Sequence, residues 1–424
     1  MTCVTSPTSV GWSQPLDRCA TPDGVPSVGP VPRSRPPVPG PSTPTPESER
    51  LLAPDLARGV MLLLIALAHS RMLHGGGNSM TTPAGGGPLD VAVQWLLTSF
   101  VDARSAPLFG LLFGYGLVQM TRRLSGPGGD PAQARRLIRR RGAWLVVFGA
   151  AHVVLLYGGD VIGAYGVVAV VFAGVVSWSG RRLGIVTAVT LLIGVAASTL
   201  LQTAAASDTP LAVGPTLVDS ALQRAVALPL LPLSALTVLP AVLVGVWAGR
   251  MRLLEQPDRY RSLLWRVVLL GFPVAVLGAQ PVALQAVGVW TPGTPGAAAV
   301  AVAVFAGTGI AGGLAFMAAI ALVADRIGGT RGRVTTALVA CGRRSMTFYI
   351  AQSPVWLVLT EPSLLDLGGG LGAAAAAGVA VATWAATVVI ADLLRRTGRR
   401  GPAEALLRHL TYRTPARRRE TAPA

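Results

Sequence analysis

Long apolar stretches with almost no charged residue recur along this chain, and they restrict its possible folds more than any other feature. Each is close to the ~20 residues that an α-helix needs to cross the hydrocarbon core of a bilayer. Only 13% of the 424 residues are charged, whereas soluble domains typically have about 25%. The sequence therefore predicts an all-α polytopic integral membrane protein and excludes an ordinary soluble domain.

The apolar pattern predicts about ten transmembrane helices after residue 50. Their approximate limits are 54–73, 104–120, 142–158, 161–178, 183–202, 228–249, 264–287, 300–323, 338–360 and 371–392. The apolar stretch 89–101 is too short to cross a bilayer. We expect it to lie at the membrane interface or to pack against the helix bundle.

Arginine clusters between these stretches predict how the chain is oriented. The clusters lie at 122–141, 181–182, 250–266, 326–333 and after residue 394. With ten spans, all of them fall on one side of the membrane. The opposite connections near residues 159, 290 and 365 contain no arginine, and the 203–227 connection has only Arg224. Because basic residues are enriched in cytoplasmic loops, both termini are predicted to be cytoplasmic.

Composition also divides the chain into three regions. Residues 1–50 contain twelve prolines and many Ser and Thr residues, so they cannot bury enough apolar surface to offset the entropy of ordering. We predict a disordered cytoplasmic tail there, and it lacks the pattern of a signal peptide. Residues 51–395 are predicted to form the transmembrane helical domain. Residues 396–424 form a basic cytoplasmic tail with a short interfacial helix.

The positions of the charged residues, cysteines and histidines argue against two further kinds of protein, a nucleic-acid-binding protein and one held together by disulfides or a metal. The net charge of +17 comes from arginines that follow the topology rule, so nucleic-acid binding is not predicted. The three cysteines and four histidines are widely spaced. Neither a disulfide framework nor a metal site is therefore expected.

The first span carries three ionisable residues, Asp55, Arg58 and His69, in the stretch "PDLARGVMLLLIALAHS". Arg58 and His69 are eleven residues apart, which places them about 20° apart on one helix face and roughly 16 Å apart in depth. Ionisable residues inside a membrane are costly, so those that occur there commonly belong to a functional site. The structural alternative is a helix cap at Asp55, an interfacial anchor at Arg58 and a histidine that reaches towards the headgroups.

A second polar group lies in "AHVVLLYGGDVIGAYG", around the connection between the third and fourth spans. It contains His152, Tyr157, Asp160 and Tyr165, and topology places it at a depth comparable with that of His69. One interpretation is a shared polar pocket in which a histidine accepts a proton and Asp160 orients it. The other is a hydrogen-bonded turn whose glycines serve the backbone.

Other segments have both a functional and a structural interpretation. In "CGRRSMTFYIAQS" (341–353), one interpretation is that Arg343, Thr347 and Tyr349 face inward. The other is that Arg343 and Arg344 anchor the span at the cytoplasmic surface. The small residues of "SAPLFGLLFGYGL" (105–117) favour tight helix packing. Arg104 is one of few basic residues on the non-cytoplasmic side, and His409 in the amphipathic C-terminal segment is not expected to be catalytic.

Several motifs resemble the YeiB-like family of bacterial membrane proteins, which is built around a domain of unknown function numbered 418. They are "DLARG" at 55–59, "LFGLLFGYGL" at 108–117, "GAAHVVLLYGGDVIGAYG", "GRRSMTFYIAQS" at 342–353 and "GPAEALLRHLTY" at 401–412. The resemblance implies a membrane domain of about ten helices. A more distant similarity connects the first helix to type 3 transmembrane acyltransferases and the lysosomal heparan glucosaminide acetyltransferase group. An Arg, ten residues and a His form a motif there, and Arg58 and His69 match it.

This resemblance implies a transmembrane O- or N-acyltransferase in the bacterial plasma membrane. Acetyl-CoA or another acyl-CoA would be the donor, and a small molecule or cell-envelope glycan the acceptor. His69 would act as general base or transient acyl carrier, with Asp160 or His152 orienting it or relaying protons. Arg58, Arg343 and Arg344 would bind the donor. The alternatives are a transporter in which these residues line a pathway, and a membrane component without catalytic activity.

Overall fold

The chain is helical throughout the part that the structure describes, which comprises residues 52–74, 86–124, 130–206, 214–328 and 331–412. The structure is a computed structural model. No β-strand occurs in these ranges, as the apolar pattern predicts. The predicted disorder of residues 1–50 and the end of the basic tail after residue 412 lie outside the described residues.

Fourteen α-helices follow one another in the described ranges. They are α1 (Leu52–His69), α2 (Pro88–Phe100), α3 (Ser105–Leu124), α4 (Pro131–Leu155), α5 (Ile162–Val171), α6 (Gly180–Ala206), α7 (Leu217–Ala225), α8 (Leu231–Arg250), α9 (Arg261–Ala286), α10 (Pro295–Ile327), α11 (Arg333–Gly342), α12 (Ser345–Thr360), α13 (Ala373–Arg396) and α14 (Pro402–Tyr412). A short 3-10 helix, Ser70–Leu73, continues α1.

Seven helical stretches among the described residues are long and apolar enough to cross a membrane. They contain α1, α2 with α3, α6, α7 with α8, α9, α10 and α13. Large apolar side chains point outward from these helices; Leu192 on α6 is 74% exposed and Leu277 on α9 is 70% exposed. An apolar surface of this kind is unfavourable in water and favourable in contact with lipid. The protein is therefore a multi-pass membrane protein.

The remaining three predicted spans correspond to α4, α5 and the pair α11–α12. Each falls short of a simple membrane span for its own reason. The first half of α4 contains five arginines, and α5 has only 10 residues. The prediction of one continuous span over 338–360 is wrong, because the helix stops at Gly342 and restarts at Ser345.

The interruption between α11 and α12 has a packing cause. A side chain at Gly342 would collide with the backbone of Asp55, so the end of α11 lies directly against the start of α1. The Arg343 guanidinium then reaches Asp55, while the Arg344 guanidinium donates to the Arg399 carbonyl on the opposite side. The turn lets these two neighbouring arginines point to different partners.

Glycines bring the central helices into close contact, as the small-residue motif at 105–117 predicts. A Cβ at Gly114 of α3 would collide with the Val242 carbonyl of α8. A Cβ at Gly149 of α4 would collide with the backbone of Gly163 at the start of α5. The second contact holds α4 and α5 together around the connection that contains Asp160.

The two short amphipathic segments pack onto the bundle. The indole N–H of Trp95 in α2 donates to the Gln280 side chain of α9, at 3.0 Å, which agrees with the predicted packing of 89–101. In α14, the Glu404 carboxylate accepts from the backbone N–H groups of Met346 and Thr347, at 2.8 and 3.1 Å. Glu404 therefore caps the start of α12, which has no preceding helix turn to satisfy these donors.

Candidate functional site

A buried polar cluster lies where α1, α4, α12 and the 156–161 connection meet. We call it the His152 cluster. Its members are His69, His152, Tyr157, Asp160, Tyr349 and Ser353. The cluster brings together three residues that the sequence predicted for one site, His69, His152 and Asp160. The end of α1 and the segment "AHVVLLYGGDVIGAYG" meet here, since the His69 ring lies 4.6 Å from the Tyr157 ring, centroid to centroid.

His152 occupies the centre of the cluster and contacts polar groups through both ring nitrogens. Its Nε2 lies 2.7 Å from the Ser353 Oγ. Its Nδ1 lies 3.0 Å from Asp160 Oδ1, an ion-pair distance without the alignment of a hydrogen bond. All three side chains are buried. The result is a Ser–His–Asp chain contributed by α12, α4 and the connection to α5.

Asp160 is held in place by the local fold. Its Oδ2 accepts the backbone N–H of Gly163 at 2.6 Å, so the carboxylate caps the first turn of α5. The same turn packs against Gly149 of α4, three residues before His152. Because one oxygen is committed to the backbone, the other remains directed at His152.

His69 sits beside this chain at the end of α1. Its half-buried ring makes edge contacts with Tyr157 and with Trp356, at centroid distances of 4.6 and 6.2 Å. The His152 ring packs 5.2 Å from Tyr349 of α12. The two histidines lie within electrostatic reach of each other.

Several buried polar atoms around the cluster have no hydrogen-bond partner in the described part of the chain. They are His69 Nδ1, the Tyr349 hydroxyl, both amide atoms of Gln352 and the Trp356 indole N–H. Buried polar groups in proteins are nearly always paired, because leaving them unpaired costs free energy. A concentration of such atoms on one face of α12 marks a place where a polar substrate could supply the missing partners.

The arginines at the other end of α1 form a separate group. The Asp55 carboxylate pairs with Arg58 at 3.0 Å and with Arg343 at 3.2 Å. Arg141 of α4 lies within electrostatic reach of Arg58 and Glu404. Arg58 and His69 therefore lie at opposite ends of α1, as the predicted separation in depth requires.

Arg344, the neighbour of Arg343, has contacts at a different place. Its guanidinium donates to the backbone carbonyls of Ala340 and Arg399, at 3.0 Å and at 2.5 and 3.2 Å. These contacts tie the end of α13 to the break between α11 and α12. They give Arg344 a structural task, whereas Arg58 and Arg343 converge on one carboxylate.

Arg104 is also engaged in structure. It donates to the carbonyls of Asp102 and Ala275 and stacks on the Phe305 ring. A neighbouring buried pair, Arg71 with Asp102 at 2.5 Å, was not predicted.

Ser353 is the main site residue that the sequence analysis did not single out. Serine is common in membrane helices, where its hydroxyl usually bonds to a backbone carbonyl of its own helix. Only the three-dimensional contact with His152 distinguishes Ser353 from such residues. A weak signal was available in the sequence, because Pro354 follows it and interrupts the helix hydrogen bonding.

Two comparisons with known proteins bear on this site. Residues 248–414 match a family model described as "Protein of unknown function (DUF418)". No curated protein matches the chain. The match covers α9 to α14 and so includes Tyr349 and Ser353, whereas His69, His152 and Asp160 lie before it. The predicted resemblance to the family built around this domain is confirmed. The similarity to the DUF418 family therefore covers the C-terminal helices of this chain, residues 248–414.

Proposed function

We propose that this protein is a membrane acyltransferase that moves an acyl group from an acyl-CoA, acetyl-CoA above all, to an acceptor at or outside the membrane. The observation that carries the proposal is the position of His152. It lies between the Asp160 carboxylate and the Ser353 hydroxyl, next to His69, in a buried site. An imidazole between a carboxylate and a hydroxyl can take up and return a proton, as acyl transfer requires.

The two histidines have different surroundings, which suggests different roles. His152 is oriented by Asp160, which would stabilise the imidazolium that forms when the ring accepts a proton. His69 has edge contacts with the Tyr157 and Trp356 rings, and its Nδ1 has no hydrogen-bond partner among the described residues. We assign His152 to proton transfer, and His69 to positioning the acceptor.

The arginine group at the other end of α1 supports a donor site. Three guanidinium groups, those of Arg58, Arg141 and Arg343, face two carboxylates, those of Asp55 and Glu404. The excess positive charge suits the phosphates of CoA, and a guanidinium binds phosphate through paired hydrogen bonds. The ~16 Å between Arg58 and His69 would be bridged by the extended arm of the donor.

Orientation follows from the same arginines. With ten spans, the arginine-rich connections all lie at the Arg58 end, and both termini are cytoplasmic. The donor site then faces the cytoplasm, and the His152 cluster lies towards the opposite face. A bacterial plasma membrane and a cell-envelope glycan acceptor fit this arrangement.

A transporter is the second candidate, and the break between α11 and α12 favours it. Discontinuous helices bind substrates in many transporters, because the ends of the half-helices expose unpaired backbone groups. Here, however, Glu404 already occupies the N–H groups at the start of α12. The backbone N–H groups that a substrate would use at such a break are therefore already bonded to Glu404.

Purified protein incubated with labelled acetyl-CoA and a membrane-glycan extract tests the proposal. We expect CoA release that depends on the extract and that falls by about 10²- to 10⁴-fold in His152→Ala and His69→Ala. Ser70→Ala is the matched control. Ser70 is buried and directly follows His69, but its hydroxyl donates to the Leu67 carbonyl of α1, at 2.6 Å.

The same preparation separates the two candidates. If the protein neither binds nor consumes acetyl-CoA, and liposomes containing it show flux of a solute that is lost in His152→Ala, the acyltransferase proposal is rejected in favour of the transporter. Wild-type CoA release in both histidine variants would equally reject the assignment of this site.

A further inference from the structure

We infer that Ser353 is the nucleophile of this site and carries the acyl group as an oxygen ester between donor and acceptor. The inference rests on the proposed acyltransferase function and adds a covalent intermediate to it. It also replaces His69 as the acyl carrier, leaving that residue to the acceptor.

The hydrogen bond of Ser353 is unusual for a helical hydroxyl in this protein. Thr360 of the same helix donates to the carbonyl four residues earlier, and Thr383 and Thr121 do the same in α13 and α3. This arrangement satisfies a hydroxyl within its own helix. Ser353 instead contacts His152 Nε2, 201 residues away in the sequence, at 2.7 Å. Its proton is therefore available to a base.

The backbone around Ser353 is also altered. Pro354 lies inside α12 and has no N–H, so the Ile350 carbonyl loses its helical donor. Pro354 itself is exposed on the outer side of the helix, while Ser353 is buried on the inner side. The interrupted turn thus presents its hydroxyl towards the His152 cluster.

The reaction balances with an acyl thioester as the only co-reactant. His152 Nε2 accepts the Ser353 proton as the Oγ–carbon bond forms, and the carbon–sulfur bond then breaks. The leaving thiolate takes the proton from His152 and departs as a thiol. An acceptor hydroxyl or amine then attacks the ester, giving its proton to His152, and the proton returns to the Ser353 oxygen as it leaves.

Donors for the developing oxyanion lie on the same helix face. Tyr349 and Trp356 are four residues before and three residues after Ser353, so they share its side of α12. The Trp356 indole N–H is buried and unpartnered in the described part of the chain, and the buried Tyr349 hydroxyl, whose oxygen lies by the Val161 backbone, has no acceptor there for its own proton. Such preorganised donors are what an acyl-transfer site needs. Ser353 is 1% exposed, so entry of the donor requires side chains around it to move.

Trapping the intermediate tests the inference. The full-length protein is mixed with labelled acetyl-CoA without acceptor, quenched in acid and digested, and the label is located by mass spectrometry. We expect one label on the peptide that begins at Ser345, stable to neutral hydroxylamine as an oxygen ester. It should be lost in Ser353→Ala and kept in Ser70→Ala. Ser353→Cys should restore the label as a thioester, which neutral hydroxylamine removes.

Labelling with an alkyl fluorophosphonate gives a readout that needs no acyl donor. We expect wild type to react at Ser353 and His152→Ala to react at least about 10²-fold more slowly. Donor consumption without any label, or label on His69 that neutral hydroxylamine removes, would overturn the inference while leaving the acyltransferase standing. Equal fluorophosphonate labelling of wild type and Ser353→Ala would also overturn it. If the donor is not consumed, the proposed function fails instead.

Discussion

At the scale of single residues, Asp160 uses its two carboxylate oxygens for different purposes. Oδ2 caps the first turn of α5 through the Gly163 N–H, and Oδ1 lies against His152. An asparagine can still accept the backbone N–H but has no charge to stabilise an imidazolium. Alanine can do neither. The two substitutions therefore separate the structural contribution of this residue from its electrostatic one.

We predict that Asp160→Asn lowers CoA release by about 10²- to 10⁴-fold with little change in thermal stability. Asp160→Ala should lose the same activity and also about 1–3 kcal/mol of stability, because the Gly163 N–H is left buried without an acceptor. Asp392→Asn, which alters an exposed arginine pair on α13, is the control. Wild-type turnover in Asp160→Asn would contradict the role of the charge.

His74 lies just beyond the first membrane-spanning stretch and is 2% exposed, with neither ring nitrogen paired in the described part of the chain. Burial, with a smaller contribution from the Arg71 charge, lowers the pKa of His74 from 6.5 to about 4; Asp102 and Asp90 oppose this shift. Between about pH 4 and pH 6.5, the His74 imidazole is therefore protonated in the unfolded chain and neutral in the folded protein.

This difference predicts a pH-dependent stability. The contribution of His74 is fully present above pH 6.5 and decreases as the pH falls towards 4. Thermal unfolding of wild type and His74→Leu, followed across this range, should show that wild type loses stability relative to the variant as the pH falls, because only wild type has this imidazole to protonate on unfolding. Parallel curves would mean that His74 stays charged or exposed in the folded protein.

The sequence analysis placed His69, His152 and Asp160 near one another, as the structure does, and missed the contact of Ser353 for a definable reason. Arg58 and His69 share a helix, so periodicity alone gives their relative position. His152 and Asp160 are close in sequence across a turn. Ser353 comes from a helix 201 residues away from His152, and no local pattern reports a contact between distant helices. Its catalytic role, like that of His69, remains a prediction.

At the scale of helices, glycine contacts determine how the bundle closes. We predict that Gly114→Ala destabilises the protein by about 1–3 kcal/mol, because the added methyl group collides with the Val242 carbonyl of α8. Gly184→Ala is the matched control, since a Cβ at this helical glycine of α6 meets nothing within 4 Å. Thermal unfolding in detergent compares them. Equal melting temperatures would show that α3 and α8 are not closely packed at Gly114.

Helix existence was predictable and helix continuity was not. Apolar runs predicted helical structure at every span, because hydrocarbon admits few other backbone conformations. The break after Gly342 depends on the close approach of α1 and on separate partners for Arg343 and Arg344. These partners lie far away in the sequence, so the run 338–360 looked uninterrupted. The capping of α12 by Glu404 was hidden for the same reason.

At the scale of the whole molecule, the candidate site draws on both halves of the chain. The DUF418 match, residues 248–414, supplies α12 with Ser353, and the part before it supplies His69, His152 and Asp160. The arginine group is likewise shared, because Arg58 and Arg141 precede the match and Arg343 lies within it. Neither half contains a complete site, so the proposed activity requires the assembled bundle.

Sidedness of the donor tests the central claim most directly, since CoA does not cross a bilayer. The measurement is CoA release from labelled acetyl-CoA added outside sealed native vesicles of the two orientations, containing wild type or His152→Ala. Vesicles with the cytoplasmic face outward should release CoA with wild type and not with His152→Ala. Wild-type vesicles of the opposite orientation should release CoA only after permeabilisation. Equal release from both sealed orientations, or release that survives His152→Ala, would contradict transfer from a cytoplasmic donor through the His152 cluster.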